Sequence, residues 1–436
     1  MTCYSCEAQD WESFGEIHPE GELLCCKACG ALAYRVDPAK EEETKEYYRK
    51  FYRPAPNVMN LITTAHKRAY IEAFLTDFLK AAGDKRLVCG DVGCATGYIP
   101  HWLRSRGHKA TGCELTMTYR RFSEHFYSVP VTEELDPKHK YDLITIYHVL
   151  EHLIEPDKKL AHYASLLAEG GRILVSVPEW LRNVEEGSGA QISGFNTLFH
   201  KDHINVFTEK SLKNLFSRAG LKIEKEDHVV YGQTYLLSRT EPGPVLHRDD
   251  YKAVMEHVRL QKQAIELFMQ NKCKEAIALY PKFPDAWIRL IHGDSMKDRT
   301  KQADLFNEAM KVLPENAKLK LSFATWLYMG EELAQALACF DELLAIKPNE
   351  DLYIFRGWAL AKLGRRDAAM ESFNQAAVMN PMKWAEAMNA IAKCAVEIPC
   401  WEERAIEEAK HAIFAKSGIK PILTDPAMKD AEVAKT

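Results

Sequence analysis

The sequence predicts an α/β chain with a doubly wound parallel sheet at its centre, a small cysteine-rich module before it and an all-α helical array after it. Three observations predict this. Two C-x-x-C pairs open the chain, Asp84–Gly97 reads as a short apolar strand running into a glycine loop, and beyond Pro244 the apolar residues recur at helical spacing. At 436 residues the chain is long enough for about two to four domains. Its 47% hydrophobic and 27% charged content excludes disordered and coiled-coil classes. A net charge of -5 gives no support for a general nucleic-acid binder. The start lacks the basic and apolar segments of a secretory signal, and no later run approaches a membrane span, so a cytoplasmic protein is expected.

Five of the 12 cysteines fall within the first 29 residues, a clustering that points to metal rather than disulfides. Cys3 and Cys6 form one pair and Cys26 and Cys29 the other. Each places two thiolates on one side of a tight turn, and together they complete a tetrahedral sulfur shell for a structural zinc ion. Cys25 competes with Cys26 for the fourth position, and Cys26 is preferred because it gives the two-residue spacer. The alternative is a set of unrelated reduced thiols. Residues 41–80 read as helix, broken at Arg53-Pro-Ala-Pro56; Tyr47, Tyr48 and Tyr52 are assigned to packing ahead of substrate contact.

In the central region, Gly93 and Gly97 let the backbone turn tightly and approach a ligand at the carboxyl end of a strand. Tyr98–Gly107 follows as helix and His108–Glu114 as a second strand, ending in an acid 23 positions after Asp91, where a doubly wound sheet meets ribose hydroxyls. The pattern D-x-G-x-x-x-G is neither the pyrophosphate loop nor a triphosphate loop, which disfavours nicotinamide and ATP.

This stretch resembles the class I S-adenosylmethionine-dependent methyltransferases over residues 60–240. The features that carry the resemblance are Asp91-Val-Gly-Cys-Ala-Thr-Gly97, Glu114, Tyr141–His152, Glu169–Pro178 and a closing pair of strands at Leu221–Val230 and Gln233–Ser238. The resemblance implies a Rossmann-like seven-stranded methyltransferase sheet with an antiparallel hairpin at its edge. It implies S-adenosyl-L-methionine as cofactor, with Asp91, Gly93, Cys94 and Gly97 around the methionine part, Glu114 on the ribose diol, and Thr132 and Glu133 of the Val129–Glu133 segment along the adenine. Many relatives have Gly where Ala95 stands; the change is small enough to fit.

Methyl transfer needs an aligned nucleophile and a base for its proton. His148, Glu151 and His152 after the fourth strand, and His200 and His203 before Phe207, are the candidates at the carboxyl end of the sheet. His148-Val-Leu-Glu-His152 resembles the segment facing the acceptor in ubiquinone and sugar methyltransferases. A packing or capping role for His152 stays open, as does a metal held by His148, Glu151, His152 and His203, the kind of site that RNA-end methyltransferases use. The long connection from Pro178 to Phe207 is read as an acceptor lid carrying Glu179, Trp180, His200 and His203. His203–Thr208 resembles a phrase of methyltransferases acting on sugars, which implies a sugar-like or other small-molecule or glycan acceptor.

After the linker Glu241-Pro-Gly-Pro244, Gly364, Ala369, Phe373 and Pro381 match the second helix of a tetratricopeptide repeat. Gly330, Ala336, Phe340 and Pro348 repeat the pattern, Phe306 with Pro314 mark an earlier copy, and Ala276 with Tyr280 a worn one. Such repeats bind peptides or proteins, or brace their neighbours. The expected division is a zinc module at 1–40, a methyltransferase domain with a helical cap at 41–245, repeats at 246–415 and a polar tail at 416–436. Two rival readings remain: a protein methyltransferase whose repeats recruit the substrate, and an adaptor with a vestigial cofactor domain.

Overall fold

Apolar residues in the central strands alternate between two faces, and that period of two builds the core. The computed structural model describes residues 1–18, 21–36, 41–50, 71–72, 74–178, 203–229, 232–293, 298–346 and 348–379. Tyr52, Arg53–Pro56, Glu179, Trp180, His200, Tyr231, Pro381 and the 416–436 tail lie outside them. The chain divides into two compact units, Met1–Gly293 and Asp294–Thr436.

In the first unit, strands β1 (Trp11–His18), β2 (Gly21–Cys26) and β3 (Leu32–Tyr34) form an antiparallel meander. Helix α1 (Glu41–Lys50) follows, and residues 71–72 and 74–82 are helical. Then come β4 (Val88–Val92), α2 (Tyr98–Ser105), β5 (Lys109–Cys113) and α3 (Met117–Phe122), which runs into a π-helical turn at Ser123–Tyr127. Strand β6 (Val131–Thr132), β7 (Tyr141–Tyr147), a 3-10 turn at Leu150–His152, helix α4 (Pro156–Ser165) and β8 (Leu167–Val177) complete the parallel part. After β9 (Asn205–Val206) and α5 (Glu209–Arg218), the hairpin β10 (Leu221–Val229) and β11 (Gly232–Arg239) closes the sheet.

The seven-stranded order is β10-β11-β8-β7-β4-β5-β6. Strands β4 to β8 are parallel to their neighbours, while β11 pairs antiparallel with β8 and β10 with β11, the edge hairpin expected from the sequence. Leu143, Leu174 and Leu236 face one layer, with Phe74, Leu75, Trp102 and Leu103. Ile144, Val175 and Tyr235 face the other, with Leu160, Leu215 and Phe216.

That second layer also contains Cys3, Tyr4, Ala31 and Ala33, so the amino-terminal residues share the core of the large sheet. The meander gains a fourth strand from far along the chain: β9 pairs with β3, Leu32 opposite Val206 and Ala33 opposite Asn205. The sequence offered no sign of this strand, because two residues carry no period. Helix α5 holds the assembly together. The Thr208 hydroxyl accepts from Ser211 N in a capping box, the Tyr4 hydroxyl donates to Leu32 O at 3.2 Å, and Asn214 Nδ2 donates to Ser5 Oγ at 3.2 Å.

Helices α6 (Tyr251–Met269), α7 (Cys273–Leu279) and α8 (Pro284–His292) end the first unit. Met255 and Val258 of α6 pack on the outer face of the meander, against Leu23, Cys25 and Leu32. Cys25 and Cys26 therefore point to opposite faces, as neighbours in a strand must.

The second unit is helical: α9 (Arg299–Val312), α10 (Ala317–Met329), α11 (Leu333–Ile346), α12 (Glu350–Lys362) and α13 (Arg366–Met379). Asp298, Asn316 and Asn349 cap the starts of α9, α10 and α12 with their side-chain oxygens. Phe306, Phe340 and Phe373 are fully buried, at the repeating positions marked in the sequence. Gly357 is required on α12 because a Cβ there would run into the Phe373 ring. Among the described residues, no helix is long and apolar enough to cross a membrane.

Candidate functional site

A cavity of about 450 Å³ opens at the carboxyl ends of β4, β5 and β7. Its floor is the turn after β4. Gly93, Ala95 and Gly97 all have positive φ there, 64°, 46° and 78°. Side chains are excluded at both glycines, since a Cβ on Gly93 would strike Val149 and one on Gly97 would strike Ser123. Asp91 is 2% exposed and accepts from the Thr145 hydroxyl at 2.6 Å. Burial pushes its carboxyl up to about 7, the Thr145 hydroxyl opposes the rise and the charge of Glu114 adds to it.

Glu114 stands at the end of β5. Its carboxylate accepts from Ala95 N at 3.1 Å and from Thr116 N at 2.9 Å, which fixes both the glycine turn and the start of α3. Each oxygen retains lone pairs toward the cavity it lines. Glu133 pairs with Arg120 at 2.9 Å and with Arg49 at 3.3 Å. The cavity also takes in Cys94, His148 and His152; Gly97, Thr132, Glu151 and His203 lie outside its described lining.

The histidine side of the cavity is built by the chain reversal after β7. His148 sits at φ 54°, a left-handed conformation that a non-glycine residue holds only under constraint, and its backbone N–H donates to Ser176 O at 2.8 Å. Its Nδ1 lies 3.6 Å from Glu151 Oε1. Glu151 is 1% exposed, and its Oε1 also lies 3.9 Å from His152 Nε2. The rings of His152 and His203 meet edge to face with centroids 4.9 Å apart. Glu151, His152 and His203 offer three donor atoms all within 4.8 Å of one another, whereas His148 stands outside that group. Asn205, 3% exposed, binds the two segments: its amide donates to Leu153 O at 2.6 Å and Leu150 O at 3.4 Å. Thr145 and Asn205 have no site role in the sequence analysis, and Tyr48, assigned there to packing ahead of substrate contact, lines the cavity with its hydroxyl 3.1 Å from His152 Nδ1. Their contacts cross between elements, and no local spacing announces them.

A second constellation lies in the amino-terminal module. The sulfurs of Cys3, Cys6, Cys26 and Cys29 lie within 4.8 Å of one another, with Cys3–Cys29 at 3.7 Å and Cys6–Cys26 at 3.6 Å. Metal–sulfur bonds of about 2.3 Å in a tetrahedron put the sulfurs about 3.8 Å apart, so the donor set has the size that zinc requires. Cys25 faces the other way, its thiol 3.8 Å from Tyr251 O and pushed up to about 12 by burial.

Residues 64–226 match a family model described as a methyltransferase domain. That stretch is a methyltransferase domain. The ubiquinone biosynthesis O-methyltransferase of Marinobacter nauticus is 28% identical over 116 residues, covering 24% of this chain and 48% of that enzyme. The peroxisomal targeting signal receptor of Kluyveromyces lactis is 29% identical over 107 residues, 24% of this chain and 18% of the receptor. The chain thus matches less than half the length of these curated relatives. Among solved structures, Burkholderia thailandensis 1,6-didemethyltoxoflavin-N1-methyltransferase, with bound 1,6-didemethyltoxoflavin and S-adenosylhomocysteine, is 16% identical with a TM-score of 0.36. The match covers 53% of this chain and 100% of that one.

Proposed function

We propose that this protein transfers a methyl group from S-adenosyl-L-methionine to a hydroxyl, or to a carbon or nitrogen, of a sugar-like or other small-molecule acceptor, with a histidine as general base. The observation that carries the reading is one cavity shared by the glycine turn, Glu114 and two histidines. The cofactor supplies a methyl activated on a sulfonium. Glu114 binds the ribose diol with its remaining lone pairs, Gly93, Cys94 and Gly97 admit the methionine part over Asp91, and Thr132 and Glu133 border the adenine. His148 and His152 face the acceptor, with Glu151 and His203 behind His152. The acceptor oxygen forms the new C–O bond, the C–S electron pair returns to sulfur, and a histidine takes the hydroxyl proton.

Structural zinc on Cys3, Cys6, Cys26 and Cys29 belongs to the same proposal, as do the limits 1–40, 41–245, 246–415 and 416–436 for module, methyltransferase domain, repeats and tail. The buried phenylalanines spaced along the second unit support tetratricopeptide-like repeats, whose partner would be a protein or peptide. The ten described cysteines are all free, which favours the cytoplasm. A second reading of the chemistry is favoured by the donors of Glu151, His152 and His203: a divalent metal held there would orient the acceptor and lower the pKa of its hydroxyl.

Calorimetry with S-adenosylmethionine tests the cofactor; absence of binding would overturn the reading. Screening nucleotide sugars and bacterial glycans for S-adenosylhomocysteine release then names the acceptor. A chelator-treated enzyme at full rate removes the metal reading, and a His148→Ala variant at full rate removes His148 as the base.

A further inference from the structure

Helix α4 gives one face to the core and the neighbouring one to the cavity. Leu160 is 0% exposed and Ala164 4%, and both belong to the core layer of Ile144 and Val175, which fixes the rotation of the helix. One position earlier in each turn stand Lys159 and Tyr163, and both line the cavity. Residues four apart lie side by side on a helix, so ammonium and phenol share one face. Of the lysines lining the cavity, Lys45 pairs with Glu42 at 3.9 Å and Lys158 pairs with Glu155. Lys159 is half-buried, and no carboxylate among the described residues pairs with it. The Tyr163 hydroxyl has no hydrogen-bond partner among them either. Burial pushes the Tyr163 phenol above its usual range, and the nearby Cys113 and Glu134 add to the rise, so its O–H stays a donor.

A cation withdrawn from water without a counter-charge costs free energy, and so does a hydroxyl with no acceptor. An oxyanion answers both, since it takes a charge-assisted bond from the ammonium and a second bond from the phenol. We propose that Lys159 and Tyr163 form an anion subsite for the acceptor, which therefore carries a carboxylate or phosphate beside the hydroxyl it presents. This rests on the methyl transfer proposed above and names the charge of its substrate. The cofactor has a carboxylate of its own, on the methionine part placed above over Asp91 and the glycine turn. Lys159 stands on another wall, on the helix that follows the Leu150–His152 turn. Leu153 and Ile154, which join that turn to α4, also line the cavity and offer an apolar surface to the carbon skeleton between hydroxyl and anion.

Two matched pairs of probes test the subsite on the full chain with S-adenosylhomocysteine added: glucuronate against glucuronamide, and glucose 6-phosphate against glucose, each titrated in saturation-transfer NMR. At least one charged member should bind about tenfold more tightly than its neutral twin, and the pair that shows the difference tells carboxylate from phosphate. Lys159→Gln should abolish the difference and Tyr163→Phe should reduce it, with S-adenosylmethionine affinity unchanged in calorimetry for both variants. Equal binding within both pairs, no binding by either charged member, or a preference that survives Lys159→Gln overturns the proposal. A loss of S-adenosylmethionine affinity in Lys159→Gln overturns it too, because the lysine would then serve the cofactor's carboxylate. The native comparison decides even where a variant fails to fold. Failure of the methyl-transfer reading would show instead as absent S-adenosylmethionine binding in the native protein.

Discussion

Glu114→Ala removes a carboxylate that anchors two backbone N–H groups and is proposed to bind the ribose as well. In the protein alone it accepts two backbone N–H groups, from Ala95 and Thr116. Each such bond contributes about 0.5–1.5 kcal/mol net, and because Glu114 is only half-buried, water replaces part of what is lost. A destabilisation of about 1–2 kcal/mol follows, small enough to leave the domain folded. The cofactor term is separate. A charge-assisted bond to the ribose diol contributes about 1–3 kcal/mol, so affinity for S-adenosylmethionine should fall about 5- to 150-fold. The turn matters as well: Ala95, at φ 46°, loses its anchor. Glu114→Gln separates the two effects, because the amide keeps one acceptor oxygen and can hold a single N–H. Calorimetry of the three proteins with S-adenosylmethionine and S-adenosylhomocysteine, beside thermal unfolding, makes the comparison. Unchanged affinity in a folded Glu114→Ala protein would refute the assignment of this acid to the ribose, and with it the logic that placed the cofactor across this end of the sheet.

Other predictions concern the remaining parts. Asp91 is an acid whose folded pKa is raised from 3.8 to about 7, so the native state holds a proton that the unfolded chain releases; stability should fall as pH rises from about 4 to about 7, and Asp91→Asn should flatten that slope in urea unfolding. Cys26→Ser should reduce zinc per chain, measured by elemental analysis, to well below one equivalent, whereas Cys25→Ser should leave it intact. Asn205→Ala, which frees the Leu150 and Leu153 carbonyls from their partner, should lower the methylation rate while S-adenosylmethionine affinity holds; equal losses in both would tie Asn205 to overall folding instead. Phe373→Ala, at a fully buried ring, should cost about 3–5 kcal/mol in denaturant unfolding.

The glycine turn after β4 and the acid at the end of β5 were legible because their requirements are local. Gly93 and Gly97 answer to a tight turn within five residues, and Glu114 follows at the end of the next strand. The four-cysteine cluster was legible for the same reason, down to the choice of Cys26, which strand alternation explains. The packing that brings His148, Glu151, His152 and His203 together was not, although each was named as a candidate. His203 meets His152 through Asn205, and Tyr48 meets it through α1, so each contact depends on how distant segments pack. The helices after residue 250 showed their period, yet nothing in that period tells that Met255 and Val258 belong to the core of the amino-terminal meander.

The pairing of β9 with β3 bears on how the protein is made. The bond between Tyr4 and Ser211 spans 207 positions, and that between Ser5 and Asn214 spans 209. During synthesis the β1–β3 meander must therefore wait, its outer strand edge unpaired, until helix α5 has emerged. An unpaired edge invites wrong partners, and distant contacts form slowly. A metal ion held by the four thiolates, as proposed above, would keep that segment in shape through the delay.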